Sequence, residues 1–137
     1  MLSPVRFQQL TAFSRGYWYC LYLIIVFLAR FQLSLVTVLI LKYLCSNRLT
    51  GGLPVDLSRL SHLKELDLGN NNFSSQIPEE ISQCTMLTSL LFNENRLSGS
   101  IPNSISKLSN LTRLDLSANN LTGVIPESYL YCWISYF

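Results

Sequence analysis

The chain has 137 residues, the size of one ordinary domain, and 49% of them are hydrophobic, which argues against intrinsic disorder. Charged residues make up only 13% of the chain, whereas about a quarter is usual for a soluble domain. All eight acidic residues lie at or after Asp56, and the basic residues before it are scattered. Nucleic acid is therefore not an expected partner, because binding it requires clustered Lys and Arg.

Residues 1–35 form a basic and apolar N-terminal segment in which we predict an apolar helix. Residues 17–29 carry no charge, and Arg6 and Arg15 precede them. A basic leader followed by an apolar stretch of this length is typical of a secretory signal peptide. A bulky Phe27 close to the small Ala29 makes a poor cleavage site.

The same apolar stretch is also long enough to cross a membrane if the helix continues to Leu41. Its many aliphatic residues favour insertion, while Arg30 opposes it by about 2.5 to 3.5 kcal/mol. Three interpretations stay open: an uncleaved membrane anchor, a cleaved signal peptide, and an apolar stretch outside its natural context.

The chain after residue 35 contains a sequence repeat with a constant period of 24 residues. The sequence Gly-x-Ile-Pro, for example, begins at Gly99 and again at Gly123. Leucine, isoleucine, asparagine and proline recur at matching positions in three successive segments, 60–83, 84–107 and 108–128. A weaker fourth repeat covers 36–59, where Lys42 replaces an apolar residue. Such periodicity predicts a solenoid in which each coil buries its apolar side chains against its neighbours.

Each repeat carries the pattern of a short strand followed by a turn. In Leu66-Asp67-Leu68 apolar and polar residues alternate, which predicts a strand with one buried face. An asparagine follows three residues later, and its side chain can both donate to and accept from buried backbone groups. We predict a structural ladder of stacked asparagines: Asn47, Asn71, Asn95 and Asn119.

Glycine occupies the next special position of the repeat, at Gly51, Gly99 and Gly123. Glycine allows backbone angles that are closed to other residues. Ser75 replaces it in one repeat, so we predict local strain there. The repeat therefore predicts a solenoid of about four coils.

An aromatic tail, residues 129–137, follows the last repeat. The four cysteines are Cys20, Cys45, Cys84 and Cys132, and no two form a Cys-x-x-Cys pair. We therefore predict buried free thiols, with a disulfide as the alternative in a secreted chain, and no metal or other cofactor.

The repeat Leu-x-x-Leu-x-x-Leu-x-Leu-x-x-Asn-x-Leu-x-Gly-x-Ile-Pro resembles the plant-specific class of leucine-rich repeats, over residues 36 to about 128. The resemblance implies an α/β solenoid, right-handed and twisted, with a parallel sheet on its concave face. Such solenoids form the extracellular domains of receptor-like kinases and receptor-like proteins. It also implies a membrane-associated or secreted glycoprotein that binds a protein or peptide ligand, including a receptor kinase, in signalling or defence. The expected location is the plasma membrane or secretory pathway, with the repeats outside the cell.

Two departures from the family pattern support an alternative interpretation. Such ectodomains are usually longer and begin with a cysteine-bearing cap, which nothing before Val36 resembles. The aromatic tail does not match a C-terminal cap either. The alternative is a truncated receptor fragment with only a structural role or no independent function.

The resemblance places ligand contacts on the concave face, at residues that flank the strand leucines. The alternative is an ordinary solvated face without a ligand. We expect an exposed Leu91 among otherwise polar side chains. The candidate ligand-binding residues are Glu65, Asp67, Asn70, Ser89, Leu91, Asn93, Glu94, Arg113, Asp115 and Ser117.

Three Asn-x-Ser/Thr sequences, at Asn72, Asn110 and Asn120, are acceptors for N-glycosylation if the repeats face the secretory lumen. In an ordinary solvated repeat the same triplets can also arise without being modified.

No catalytic site is expected. Asp67 and Asp115 lie two repeats apart, which corresponds to about 10 Å across a sheet, too far for an acid/base pair. His62, the single histidine, falls between two inward leucines on the outer side of a coil. The sequence also lacks the glycine-rich, Val-Ala-Ile-Lys, His-Arg-Asp and Asp-Phe-Gly signatures of kinases.

Overall fold

The computed structural model describes residues 44–125 and the backbone of strand residues 133–135. The predicted N-terminal segment, the start of the weak repeat 36–59 and most of the aromatic tail lie outside the described residues. Within the described part of the chain, no helix is long and apolar enough to cross a bilayer.

Short strands and 3₁₀ helices alternate along the described chain. The strands are β1 (Thr50–Gly51), β2 (Glu65–Asp67), β3 (Asn72–Ser75), β4 (Ser89–Leu91), β5 (Arg96–Ser100), β6 (Arg113–Asp115), β7 (Asn120–Thr122) and β8 (Trp133–Ser135). The 3₁₀ helices are η1 (Val55–Arg59), η2 (Glu79–Gln83) and η3 (Asn103–Lys107).

The strands form two parallel sheets, one of which is the predicted sheet. This inner sheet has the strand order β2-β4-β6-β8, and the second sheet has the order β1-β3-β5-β7. In the inner sheet Leu66 pairs with Leu90, and Leu90 pairs with Leu114, so these strands follow the period of the sequence. The parallel-sheet solenoid is thus confirmed, while the second sheet is an addition that the sequence analysis did not predict.

The outer side of each coil differs from the α/β expectation. Among the described residues the helices are 3₁₀ helices of five residues each, and they contain no α-helix. Each begins directly after an extended proline and buries one apolar side chain: Leu57, Ile81 and Ile105. Five residues provide only about one and a half turns, which is enough to present a single side chain to the core.

The apolar residues of the repeat form one continuous core. Phe73 and Phe92 are the largest fully buried side chains. Leu121 and Ile125, at the C-terminal end of the described array, pack against this core but are only partly buried. The remaining positions of the leucine pattern are buried: Leu60, Leu63, Leu66, Leu68, Ile77, Cys84, Leu87, Leu90, Leu97, Ile101, Leu108, Leu111, Leu114 and Leu116.

The ladder asparagines link each coil to the coil before it. Asn95 is buried, with 8% of its surface exposed. Its Oδ1 accepts a hydrogen bond from the Phe73 backbone N–H at 2.9 Å, and its Nδ2 donates to the Leu68 carbonyl at 3.0 Å. Asn71 and Asn119 make the corresponding bonds in their own coils. These side chains satisfy backbone groups that the turn removes from water.

A column of left-handed residues precedes the ladder. Ser46, Asn70, Glu94 and Ala118 have φ angles of 55°, 52°, 53° and 53°, although none is glycine. Only a few per cent of non-glycine residues adopt positive φ. The recurrence of this conformation one residue before each ladder asparagine shows that it turns the chain out of the inner strand.

Ser75 also has a left-handed backbone, with φ 81°, where the equivalent Gly99 has φ 76°. This conformation costs an L-residue with a β-carbon roughly 1 to 2 kcal/mol. Glycine relieves this cost in the folded chain but increases the entropy of the unfolded chain, which offsets part of the gain. We therefore expect Ser75→Gly to raise the free energy of unfolding by about 0.5 to 1 kcal/mol. Urea unfolding followed by circular dichroism measures this change. Ser74→Gly is the control, and the prediction is wrong if both variants lose stability.

Cys84 is a core residue rather than a reactive thiol. Its side chain is completely buried, and its Sγ donates to the Leu57 carbonyl at 3.1 Å. Burial raises the pKa of this thiol to about 11, from an ordinary value of 9.0. The pKa of the half-buried Cys45 is raised by burial and, secondarily, by the negative charge of Asp67. Cys20 and Cys132 lie outside the described residues.

Candidate binding surface

The predicted ligand-binding residues lie on and immediately after three neighbouring strands of the inner sheet. Their exposure varies with position. The exposed ones are Glu65, Asn70, Glu94 and Arg113, and the half-buried ones are Asp67, Ser89, Asn93, Asp115 and Ser117. Leu91 is the single buried member of the set.

The register of the inner sheet arranges these residues in rows across the strands. One row consists of Glu65, Ser89 and Arg113, and a second consists of Asp67, Leu91 and Asp115. Parallel strands lie about 4.8 Å apart, so Glu65 and Arg113 are separated by about 10 Å. The first row therefore presents a carboxylate and a guanidinium on either side of a serine.

Leu91 corrects the sequence-based expectation of an exposed apolar side chain. Only 6% of its surface is exposed. Leu91 belongs to the central strand of the three, and its register partners are Asp67 on one side and Asp115 on the other. Side chains on adjacent strands screen a residue placed between them, so this leucine offers little area to a ligand.

The two aspartates of the second row hold the turns that follow their strands. Asp67 Oδ1 accepts from the Gly69 N–H at 3.0 Å. Asp115 Oδ1 accepts from the Ser117 N–H at 3.1 Å and from the Ser117 hydroxyl at 2.6 Å. Both carboxylates thus support the backbone from which the polar loop residues project.

Ser89 occupies the centre of the first row and has an unusual environment. Its hydroxyl oxygen is buried and has no hydrogen-bond partner among the described residues. Arg113, its neighbour in the row, forms no salt bridge among the described residues. The exposed Arg113 side chain is thus without a charge partner among the described residues.

The ten predicted residues carry a net negative charge. Four carboxylates, on Glu65, Asp67, Glu94 and Asp115, stand against the single cation of Arg113, which gives −4 + 1 = −3. A surface of this composition is suited to hydrogen bonding and charge pairing with a polar chain.

His62 is exposed, and its Nδ1 lies 3.3 Å from the neighbouring Ser61 hydroxyl. No group of three His, Cys, Asp or Glu side chains within the described residues could hold a metal ion.

Strand β8 extends the inner sheet beyond the predicted surface. Trp133 pairs with Arg113, and Ser135 pairs with Asp115. Sequence analysis missed this strand because it breaks the period, which would have made Phe137 the partner of Arg113. The alternation of Trp-Ile-Ser is the only signal that could have indicated it.

The three predicted glycosylation acceptors lie outside the strands of the inner sheet. Asn72 is half-buried in β3, Asn110 is exposed between η3 and β6, and Asn120 is exposed in β7.

Comparison with solved structures shows strong similarity to plant receptor ectodomains. The BIR2 ectodomain from Arabidopsis thaliana is 40% identical, with a TM-score of 0.61, and the match covers 62% of this chain and 45% of that one. A chain of the Arabidopsis thaliana BIR3–SERK2 complex is 41% identical, with a TM-score of 0.60, covering 61% and 45%. The present chain thus spans less than half the length of these ectodomains.

A third similar structure is the Arabidopsis receptor kinase HAESA ectodomain in complex with an N-terminally extended IDA peptide hormone. It is 37% identical, with a TM-score of 0.61, and the match covers 64% of this chain and 15% of that one. No curated protein matches the chain.

The Leucine Rich Repeat family profile matches residues 62–84, 86–108 and 110–132. These three segments are equal in length and together cover just over half of the chain. The sequence period, the parallel inner sheet and the solved structures agree with this match. The chain belongs to the leucine-rich repeat family and is similar to part of a plant receptor ectodomain.

Proposed function

We propose that this protein is a non-catalytic, receptor-like module that binds a protein or peptide through its inner sheet. The observation that carries the proposal is the row of Glu65, Ser89 and Arg113. It places two opposite charges and an unpartnered hydroxyl in register on three consecutive strands. A peptide lying across the strands would pass over all three groups.

The similar structures support this class of partner. The HAESA ectodomain is in complex with a peptide hormone, and the BIR3–SERK2 structure is a complex of two proteins. We propose the same kind of partner here, a peptide or a receptor kinase ectodomain, with a role in signalling or defence. The proposed location is the plasma membrane or the secretory pathway, with the repeats outside the cell.

Peptides selected from a phage-displayed random library on the intact chain provide the test. We expect Arg113→Glu to weaken the binding of the selected peptides by at least about tenfold. The substitution replaces the only cation among the ten candidate residues with a fifth carboxylate. Titration of each peptide against both proteins measures the effect.

Lys107→Glu is the matched control, since it makes the same charge change at an exposed residue of η3, outside the inner sheet. This variant should bind the peptides with unchanged affinity. Equal losses in both variants, or no loss in either, would contradict binding at the inner sheet. Such a result would favour the alternative of a receptor fragment without a binding role.

A further inference from the structure

The three glycosylation acceptors occupy different structural settings, although their sequences look equivalent. Transfer of a glycan requires the asparagine side chain and the hydroxyl two residues later to enter the active site of the transferase. The middle residue must move with them. The packing and hydrogen bonds of each triplet therefore determine whether a folded chain can be modified.

Asn72 belongs to a triplet that is part of the core. Phe73, its middle residue, is fully buried, and its N–H donates to Asn95 Oδ1 at 2.9 Å. Strand β3 lies between β1 and β5 in the second sheet. Extraction of this triplet would open the core and both neighbouring strand pairs.

Asn110 is exposed, yet its reactive groups are bound to the preceding coil. Its Nδ2 donates to the Thr85 carbonyl at 2.9 Å, and the Thr112 hydroxyl donates to the Thr88 carbonyl at 3.0 Å. The middle residue, Leu111, belongs to the buried core. Exposure of Asn110 is thus misleading, because the nitrogen that would receive the glycan is already a donor in an inter-coil hydrogen bond.

Asn120 differs from both in the hydrogen bonding and packing of its triplet. Its side chain and that of Thr122 are exposed, and the structure shows no side-chain hydrogen bond for either within the described residues. Leu121, the middle residue, is only partly buried. Strand β7 is the outermost strand of the second sheet among the described residues, so it has one neighbouring strand, β5, where β3 has two.

We propose that Asn120 is the glycosylation site of the folded chain and that folding closes Asn110 and Asn72 to modification. In a cell, this modification requires that the repeats enter the secretory pathway, so the proposal rests on the location given under the proposed function. In the reaction, Asn120 Nδ2 attacks C1 of an oligosaccharide linked to a lipid diphosphate. The N–C1 bond forms, the C1–O bond to the diphosphate breaks, and the lipid diphosphate leaves with the electron pair. The proton released from Nδ2 passes to the leaving diphosphate or to the solvent.

The test adds purified oligosaccharyltransferase and lipid-diphosphate-linked oligosaccharide to the full chain, either after folding or during its synthesis. Peptide mass spectrometry then measures the occupancy of each asparagine in the same sample. After folding, we expect Asn120 to be modified at least about tenfold faster than Asn110 or Asn72, since those two sites require local opening. During synthesis, before the coils pack, this difference should largely disappear.

Asn120→Gln provides the control for competition between sites, because Asn110 should stay unmodified on the folded variant. Modification of Asn110 at the rate of Asn120 after folding would overturn the proposal, as would a folded chain that is not modified at Asn120. If only the proposed secretory location is wrong, the result differs from a failure of the site proposal. The protein made in plant cells would then carry no glycan, while the purified folded chain would still be modified at Asn120.

Discussion

Asn95→Ala is expected to lower the free energy of unfolding by about 3 kcal/mol, which is a large part of the stability of a small domain. The substitution removes the acceptor of the buried Phe73 N–H and three donations from Nδ2, to the carbonyls of Leu68, Phe92 and Asn93. Asn71 and Asn119 still donate to two of these carbonyls. The main cost is therefore the Phe73 N–H, which remains buried without a partner.

Urea unfolding followed by circular dichroism measures this loss. Asn93→Ala is the matched control, two residues away and half-buried, and the structure shows no hydrogen bond of its side chain among the described residues. We expect the control to change stability by about 0.5 kcal/mol or less. Similar losses in both variants would show that the ladder does not stabilise the fold.

Stability is expected to fall by roughly 2 kcal/mol between pH 9 and pH 11 because of Cys84 alone. Burial raises the pKa of this thiol from 9.0 to about 11 in the folded chain. Below pH 9 the thiol is protonated in both states and stability is unaffected. As the pH rises from 9 through about 11, the unfolded chain releases its proton first, so unfolding becomes more favourable.

The measurement is the free energy of unfolding across this pH range, under reducing conditions, for the natural chain and for Cys84→Ala. Other groups titrate in the same pH range, but they contribute equally to the pH dependence of stability in both proteins. The variant will be less stable at neutral pH, since it loses packing and the bond to the Leu57 carbonyl. Its pH dependence should nevertheless be shallower. Identical slopes would mean that Cys84 ionises freely in the folded chain.

The core was predictable from the sequence because a fixed period forces equivalent residues into equivalent environments. Leu66, Leu90 and Leu114 recur at that period and pair directly in the inner sheet. A single leucine would not have been informative. Three leucines at the same repeat position exclude most other arrangements of the chain, because each coil must pack against the next.

The second sheet and the left-handed column were not predictable in the same way. Ser46, Asn70, Glu94 and Ala118 share a backbone conformation but no chemical property that a sequence pattern could reveal. Their geometry is imposed by the coils on either side. The strands of the second sheet are likewise held by stacking, and their polar residues give little strand signal by themselves.

The candidate binding surface was only partly predictable. Period-two alternation correctly assigned Glu65 and Arg113 to an exposed face. It failed for Leu91, because burial there depends on the neighbouring strands and not on the strand itself. The exposure of a side chain on a sheet depends on its own strand and on both neighbouring strands. The alternation rule uses the sequence of one strand only.

The spacing of the inner strands has a consequence for how such arrays change in evolution. Strand β8 pairs with β6 although Trp133 comes earlier in the chain than Phe137, the residue that the period assigns to the same register position. The shortening must come from the connecting arc, since the parallel pairing of the strands is unchanged. Insertions and deletions in that arc can therefore accumulate without moving any residue to a different position on the inner sheet. The candidate binding surface and the length of the repeat are free to diverge independently.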